Sequence, residues 1–376
     1  MLIINKDEAI KHLYESTFLP TIESDVSDLQ IYFRQHRTLL VEQFVESFRG
    51  ICRLINNIQQ NQAKDPIGYI HYSMLRTSML EGNAHYLIEA YSSKWYWDDV
   101  ECLSYYDAGW AYQSLESMTN TLEMTRKKYM NLIDNSDIQR MILQNLGYYN
   151  QFVIALARSS LSQAVKLTEY QQINKTDCLR VRIGEFKDYS EDVHVDDRTQ
   201  KDERSIRRQL KSRTTDLGCA YKSFTGIQLY DEMMDDIDLR YTDFSRSNLQ
   251  GSKFTNCLLT GTQWNGCQLR HVDFSFSQLC DADFRDCDLE GARFVHIDSR
   301  GIQDKLLQVP GLIGLNFENA NLEDVDFSYA ELEGANFHNA IMKNTTILKE
   351  NLNKLNLSEV QIESIHWITR GEVGDA

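Results

Sequence analysis

No glycine-rich phosphate loop, no HExxH, no GxSxG and no Cys or His pair at zinc-ligand spacing occurs in the 376 residues. The nine His residues are dispersed, and His271, His296 and His338 stand beside turns, where an imidazole faces water rather than a metal. The eight Cys residues show no CxxC spacing and the chain opens without a cationic, apolar leader, which points to a reduced, cytoplasmic setting without disulfides. No apolar run approaches the ~20 residues needed to span a bilayer, so no membrane association is expected. Together these absences argue against an enzyme and against any catalytic, metal or cofactor site.

Basic charge is scarce in one part of the chain. Residues 226–376 hold 25 Asp and Glu against 12 Lys and Arg, net −13 of the chain's −16. Proteins hold nucleic acid largely by neutralising phosphates with Lys and Arg, so no direct nucleic-acid binding is expected. A basic protein, or a site that ordinarily holds DNA, would accept such a surface. Equally, Asp and Asn suit tight turns and keep a surface soluble.

That acidic stretch has a period of five. Fourteen consecutive pentads from Leu229 to Phe294 have a large apolar centre, among them Phe244, Leu249, Phe254, Leu259, Trp264, Leu269, Phe274, Leu279, Phe284 and Leu289. Two residues before the centres stand small side chains such as Thr242, Ser247, Ser252, Cys257, Cys267, Ala282 and Ala292. The pattern resumes in a shifted register from Phe317 to Met342 and blurs through Trp367. Five residues carry an α-helix through about 500°, so no apolar stripe forms. In a strand an odd step sends successive centres to opposite faces. The chain must therefore turn once per repeat, with each small residue and its large neighbour on the inward side.

The segments "ADFRD" (282–286), "ANLED" (320–324), "AELEG" (330–334) and "ANFHN" (335–339) resemble the pentapeptide-repeat proteins, over about residues 225 to 365. The resemblance implies a right-handed quadrilateral β-helix, four pentads per coil, in which residues twenty apart stack. Phe244, Trp264 and Phe284 then form one core ladder, and Phe254, Phe274 and Phe294 a second. Cys267 and Cys287 become neighbours, read as reduced thiols filling small core positions. Some family members mimic double-stranded DNA and bind DNA gyrase, protecting it from inhibitors.

The rest reads as helix. Leu29, Phe33, Leu40, Phe44, Phe48, Ile51, Ile55 and Ile58 recur at three, four and seven, predicting one long amphipathic helix that ends before Asp65. Asp65 and Pro66 suit a second helix start; a third is expected from Asp98 to Ile133 and a fourth from Ser136 to Leu167, weakened at Gly147. The expected fold is α+β multidomain. A helical bundle over 1–172 leads to a charged linker or solenoid cap over 173–224, a β-helix over 225–368 with an insertion at 295–316, and a disordered tail at 369–376.

Two places suggest a partner surface. In the aromatic run from Tyr91 to Tyr112, Tyr106 and Trp110 have core spacing, whereas Trp95 and Trp97 sit at a junction and suit an interface. In the insertion, Leu306, Leu307 and Leu312 suggest a protruding element. The sequence therefore reads as a non-catalytic scaffold that binds a protein partner, in a toxin-neutralising or adaptor role. Modulation of DNA gyrase and an enzyme site within the helical domain are the alternatives, and a homodimer through the C-terminal end is a further expectation.

Overall fold

The computed structural model describes residues 5–61, 63–199, 202–211, 219–300 and 311–370. The chain divides near residue 198 into two compact units. Among the described residues no helix is long and apolar enough to cross a membrane.

The first unit runs through α1 (Lys6–Leu13), a π-helical turn (Tyr14–Phe18), α2 (Leu19–Gln60), β1 (Ile67–Met74), α3 (Arg76–Leu80), β2 (His85–Ser92) and a 3-10 turn (Trp95–Trp97). It continues with β3 (Leu103–Asp107), α4 (Gly109–Tyr112), α5 (Leu115–Arg126), α6 (Asn135–Asn145), α7 (Gly147–Ala164), α8 (Thr168–Gln171), β4 (Lys175–Glu185) and β5 (Ser190–Asp197). Helix α2 buries Ile22, Val26, Leu29, Phe33, Leu40, Phe44, Phe48, Ile51 and Ile55, the single stripe that spacings of three, four and seven produce.

The region is helical, but it also contains a five-stranded sheet, in the order β3-β2-β1-β4-β5. Strand β1 pairs antiparallel with β2 and parallel with β4. This corrects the all-helical reading at three points. A strand, not a helix, follows Asp65 and Pro66, because Ile70, Tyr72 and Met74 alternate inward and aromatic and β-branched side chains suit a pleated surface. Residues 98–107 hold β3, so helix begins only at Gly109. Within the expected linker of 173–224, residues 175–197 are no linker: in β4 the buried Leu179, Val181 and Ile183 alternate with Arg180 and Arg182, and β5 pairs along its length. The core lies between the sheet and helices α2 and α7. There Phe44 stacks on Tyr72 at 5.1 Å, and the buried Tyr86 hydroxyl meets Tyr112 at 2.6 Å and donates to Asn150 at 2.7 Å.

The second unit opens with α9 (Glu203–Lys211) and then coils. Parallel bridges join Ser223 to Asp243, Gln228 to Asn248, Asp238 to Leu258 and Asp243 to Gln263, so each coil takes twenty residues. Among the described residues only β6 (Met233–Asp235), β7 (Lys253–Thr255), β8 (Thr346–Leu348) and β9 (His366–Ile368) are longer than single bridges, and α10 (Glu359–Ser364) precedes β9. Phe244, Trp264 and Phe284 stack at 4.7 and 5.7 Å, and Phe254, Phe274 and Phe294 at 5.5 and 4.9 Å. The two columns meet edge to face, Phe254 lying 5.1 Å from Trp264.

Three devices recur along the coils. The residue two past the centre has positive φ, as at Tyr241 (58°), Arg246 (61°), His271 (56°) and Phe276 (63°), and the next amide returns to the centre's carbonyl, as from Cys267 to Trp264 at 2.9 Å. That is the geometry of a type II turn. The Asp or Asn before the centre accepts the amide two residues on, at 2.9–3.2 Å, in Asp243, Asp273, Asp283, Asn316, Asn321, Asp326 and Asn336. Where the small residue carries a hydroxyl or thiol it can tie coils together: Thr242 donates to the Cys219 carbonyl at 2.8 Å, Ser277 to Phe254 at 2.6 Å, and Cys267 and Cys287 to Phe244 and Trp264 at 2.9 Å each. All eight cysteines are free, and burial raises the Cys287 thiol pKa.

Bridges continue to Asp298 and resume from Asn316, where the coil step becomes thirty-three residues, thirteen more than twenty. The break is thus shorter than 295–316. Ile297 fills a small position and Ser299 a large one, both buried, so the pattern fails before the geometry does. The returning chain is held by Asp281, whose carboxylate accepts the amides of Gly311, Ile313 and Gly314 at 2.8, 2.7 and 2.8 Å. Both ends are covered. Helix α9 buries Ile206 and Leu210 in the solenoid core and pairs Arg207 with Glu232 at 2.7 Å. After α10, Ile365 joins that core, and Gln361 donates to the Phe337 and Ala340 carbonyls at 2.8 and 3.0 Å.

Candidate partner-binding surfaces

The sheet of the first unit has a second face, turned away from α2 and α7. Pairing register puts on it Tyr105 of β3, Leu87, Glu89 and Tyr91 of β2, Tyr69, His71 and Ser73 of β1, Arg180 and Arg182 of β4, and Asp192 of β5. Tyr, Trp and Arg are the residues that dominate binding hot spots. The Trp95–Trp97 turn folds over this face. Trp95 packs edge-on against Tyr69 at 3.9 Å, stacks on Tyr91 at 5.9 Å and has the Arg182 guanidinium 5.8 Å from its ring. Trp97 is 86% exposed.

Beneath the turn is a buried ion pair. Lys64, whose side chain is inaccessible, reaches Asp98 at 3.0 Å and also the Val100 carbonyl. Asp98 accepts the amides of Ser92 at 2.6 Å and Val100 at 3.1 Å. Burial works against the Asp98 carboxylate, but the Ser92 amide, Lys64 and the Val100 amide outweigh it and hold its pKa below the usual value. On the surface Lys94 meets Asp65 at 2.9 Å. The turn therefore presents Trp97 from a fixed base, so little ordering entropy is lost when a partner covers it.

Under Trp95 the face is polar. His71 is completely buried, its ring 5.7 Å from that of Trp95. Neither of its nitrogens, nor Ser73 Oγ, nor Glu89 Oε2, has a hydrogen-bond partner among the described residues. Burial, with Arg182 beside it, pushes the imidazole pKa down to about 4, and burial raises that of Glu89. Arg182 itself is engaged by Asp192 at 2.5 Å and by the Ser190 carbonyl at 2.5 Å.

On the solenoid, one outer corner carries aromatics. Phe276, 56% exposed, stacks on His296 at 5.3 Å, and His296 on Tyr329 at 4.6 Å. Sequence reasoning overlooked this ladder, although Phe276 and His296 stand twenty residues apart at the same repeat position. Among the described residues no group of three or more His, Cys, Asp or Glu is placed to hold a metal.

Of the residues singled out from sequence, Trp97 is exposed and Trp95 half-buried against Tyr69 and Tyr91. Leu312 is only 4% exposed, so its side chain is withdrawn from the surface rather than displayed on a protruding element. Leu306 and Leu307 lie outside the described residues. The sheet face around His71 was invisible because its members come from strands read as helix or linker.

Comparison with known proteins bears on the second unit. Residues 220–284 match a model described as a pentapeptide repeat region, and residues 312–344 one described as pentapeptide repeats, eight copies. Among solved structures, a pentapeptide repeat protein of the Arabidopsis thaliana thylakoid lumen is 23% identical, covering 33% of this chain and 71% of that one, with a TM-score of 0.21. HetL, a pentapeptide repeat protein involved in heterocyst differentiation regulation from the cyanobacterium Nostoc sp. strain PCC 7120, is 16% identical over 39% of this chain and 97% of its own, TM-score 0.17. QnrB1, a plasmid-mediated fluoroquinolone resistance protein, is 13% identical over 40% and 90%, TM-score 0.18. No curated protein matches the chain.

Proposed function

With residues 220–284 and 312–344 belonging to the pentapeptide-repeat family, we propose that this protein is a non-catalytic scaffold that binds a protein partner. Its solenoid is a right-handed quadrilateral β-helix, and its setting is the cytoplasm. The observation that carries the reading is Trp97, an exposed indole on a turn fixed from below by the Lys64–Asp98 pair. A large side chain displayed in a preset pose is the anchor that interfaces use. The outer ladder of Phe276, His296 and Tyr329 supports a second contact on the solenoid.

The acid excess favours a second reading, occupation of a DNA site on DNA gyrase. Part of that acid has another cause, however: Asp243, Asp273, Asp283 and Asp326 each hold a turn amide. Two measurements separate the readings. Affinity capture from the native cell should return one dominant protein with the wild type and lose it with Trp97→Ala. In a supercoiling assay the scaffold reading predicts no effect on gyrase at stoichiometric excess, whereas inhibition that fades steeply with added salt supports DNA mimicry.

A further inference from the structure

The polar floor under Trp95 has chemistry that partner binding does not use. His71 Nδ1 and Nε2, Ser73 Oγ and Glu89 Oε2 gather on one sheet face, since His71 pairs with Glu89 across β1 and β2 and Ser73 follows His71 by two. Buried polar atoms are nearly always hydrogen-bonded, and four orphans in one patch call for an occupant that bonds them. The roof over them shows a second signal. Trp95 and Lys187, both non-glycine, have positive φ of 55° each, and they lie on the two segments that meet there: the Tyr96 hydroxyl lies against the Lys187 backbone amide and the Trp95 side chain. Left-handed backbone at bulky residues is uncommon and concentrates at ligand clamps and switches.

We propose that the patch formed by His71, Ser73 and Glu89 beneath Trp95 is a binding site for a small uncharged molecule bearing several hydroxyl groups. The chemistry of the floor selects that class. A neutral imidazole and a serine hydroxyl each offer one donor and one acceptor, and a carboxylate oxygen accepts; a hydroxyl group both gives and takes and so answers all three. The walls, Tyr69, Tyr91 and Trp95, supply apolar ring faces for the carbon skeleton. A charged ligand fits poorly. A cation meets Arg182 and Lys187, an anion meets Glu89 and Asp192, and either loses its hydration in a place where His71 is wholly inaccessible. Entry requires the tip, Trp95 and Tyr96, to lift while the base stays fixed by Lys64 and Asp98. The site shares the Trp95–Trp97 turn with the partner surface, but its occupant is a small molecule and its binding needs no protein partner.

The test is a titration of the full chain with myo-inositol and with D-glucose, and in parallel with choline and inorganic phosphate, read by the His71 imidazole NMR signals and by tryptophan emission. We expect at least one polyol to move both signals saturably and neither charged probe to do so. His71→Gln, which keeps a donor and an acceptor, should retain binding, while His71→Phe and Ser73→Ala should weaken it about tenfold, with the fold checked by circular dichroism. Ser73→Ala keeps the test intact should His71→Phe fail to fold. Absence of a saturable response to both polyols, a response to choline or phosphate instead, or undiminished binding by folded His71→Phe or Ser73→Ala overturns the proposal.

Discussion

At the position two past each repeat centre, side chains of successive coils lie over one another on the outside of the coil. Gly291 has φ +67°, and a Cβ there would lie 2.4 Å from the His271 ring, whereas at Gly266, with the same φ, the nearest atom is Arg246 Cγ at 3.9 Å. Gly291→Ala should therefore cost more in chemical denaturation than Gly266→Ala, which loses only the ~1 kcal/mol of a left-handed alanine. The residue before the centre acts through one acceptor. Asp273→Asn keeps it and should be near neutral, while Asp273→Ala should cost ~1 kcal/mol, measured by urea unfolding. His71 makes stability depend on pH. Its folded pKa is about 4 and an unfolded histidine titrates near ~6.5, so between those values the unfolded chain binds the extra proton. Stability should rise with pH across that window and be lost as pH falls through it, by on the order of 3 kcal/mol relative to His71→Phe. Glu89, with its raised pKa, contributes with the opposite sign, which makes the difference between the two proteins the quantity to measure.

Elements were unequally legible in the sequence. Helix α2 could be read because one stripe of apolar residues runs its length with a polar remainder. The coils could be read because a period of five has no competing regular structure. Strand β1 is hard to read because Asp65 and Pro66 before it form a helix-start signal, and β4 because Arg180 and Arg182 on its outer face dilute the inward alternation of Leu179, Val181 and Ile183. The polar floor could not be read at all, since register between strands far apart in sequence is what assembles it. At this scale the Lys64–Asp98 pair is the sharpest test. Lys64→Met leaves a buried carboxylate unpaired and should destabilise the first unit by ~3–5 kcal/mol, with hydrogen exchange of residues 92–100 accelerating first.

Across the whole molecule, net charge of −16 invites an account in terms of a polyanionic partner. The structure gives part of the solenoid's share a local cause, because aspartate and asparagine both occur at the turn-holding position and do the same work there. Charge alone is therefore a weak guide to what the rod binds, and an uncharged anchor is the better discriminator. The central claim is that Trp97 is such an anchor. Its most direct test is the dissociation constant of the captured partner for wild type and for Trp97→Ala, both shown to be folded. A hot-spot residue contributes at least ~2 kcal/mol, so a loss of about thirtyfold or more is expected. Equal affinities would contradict the account.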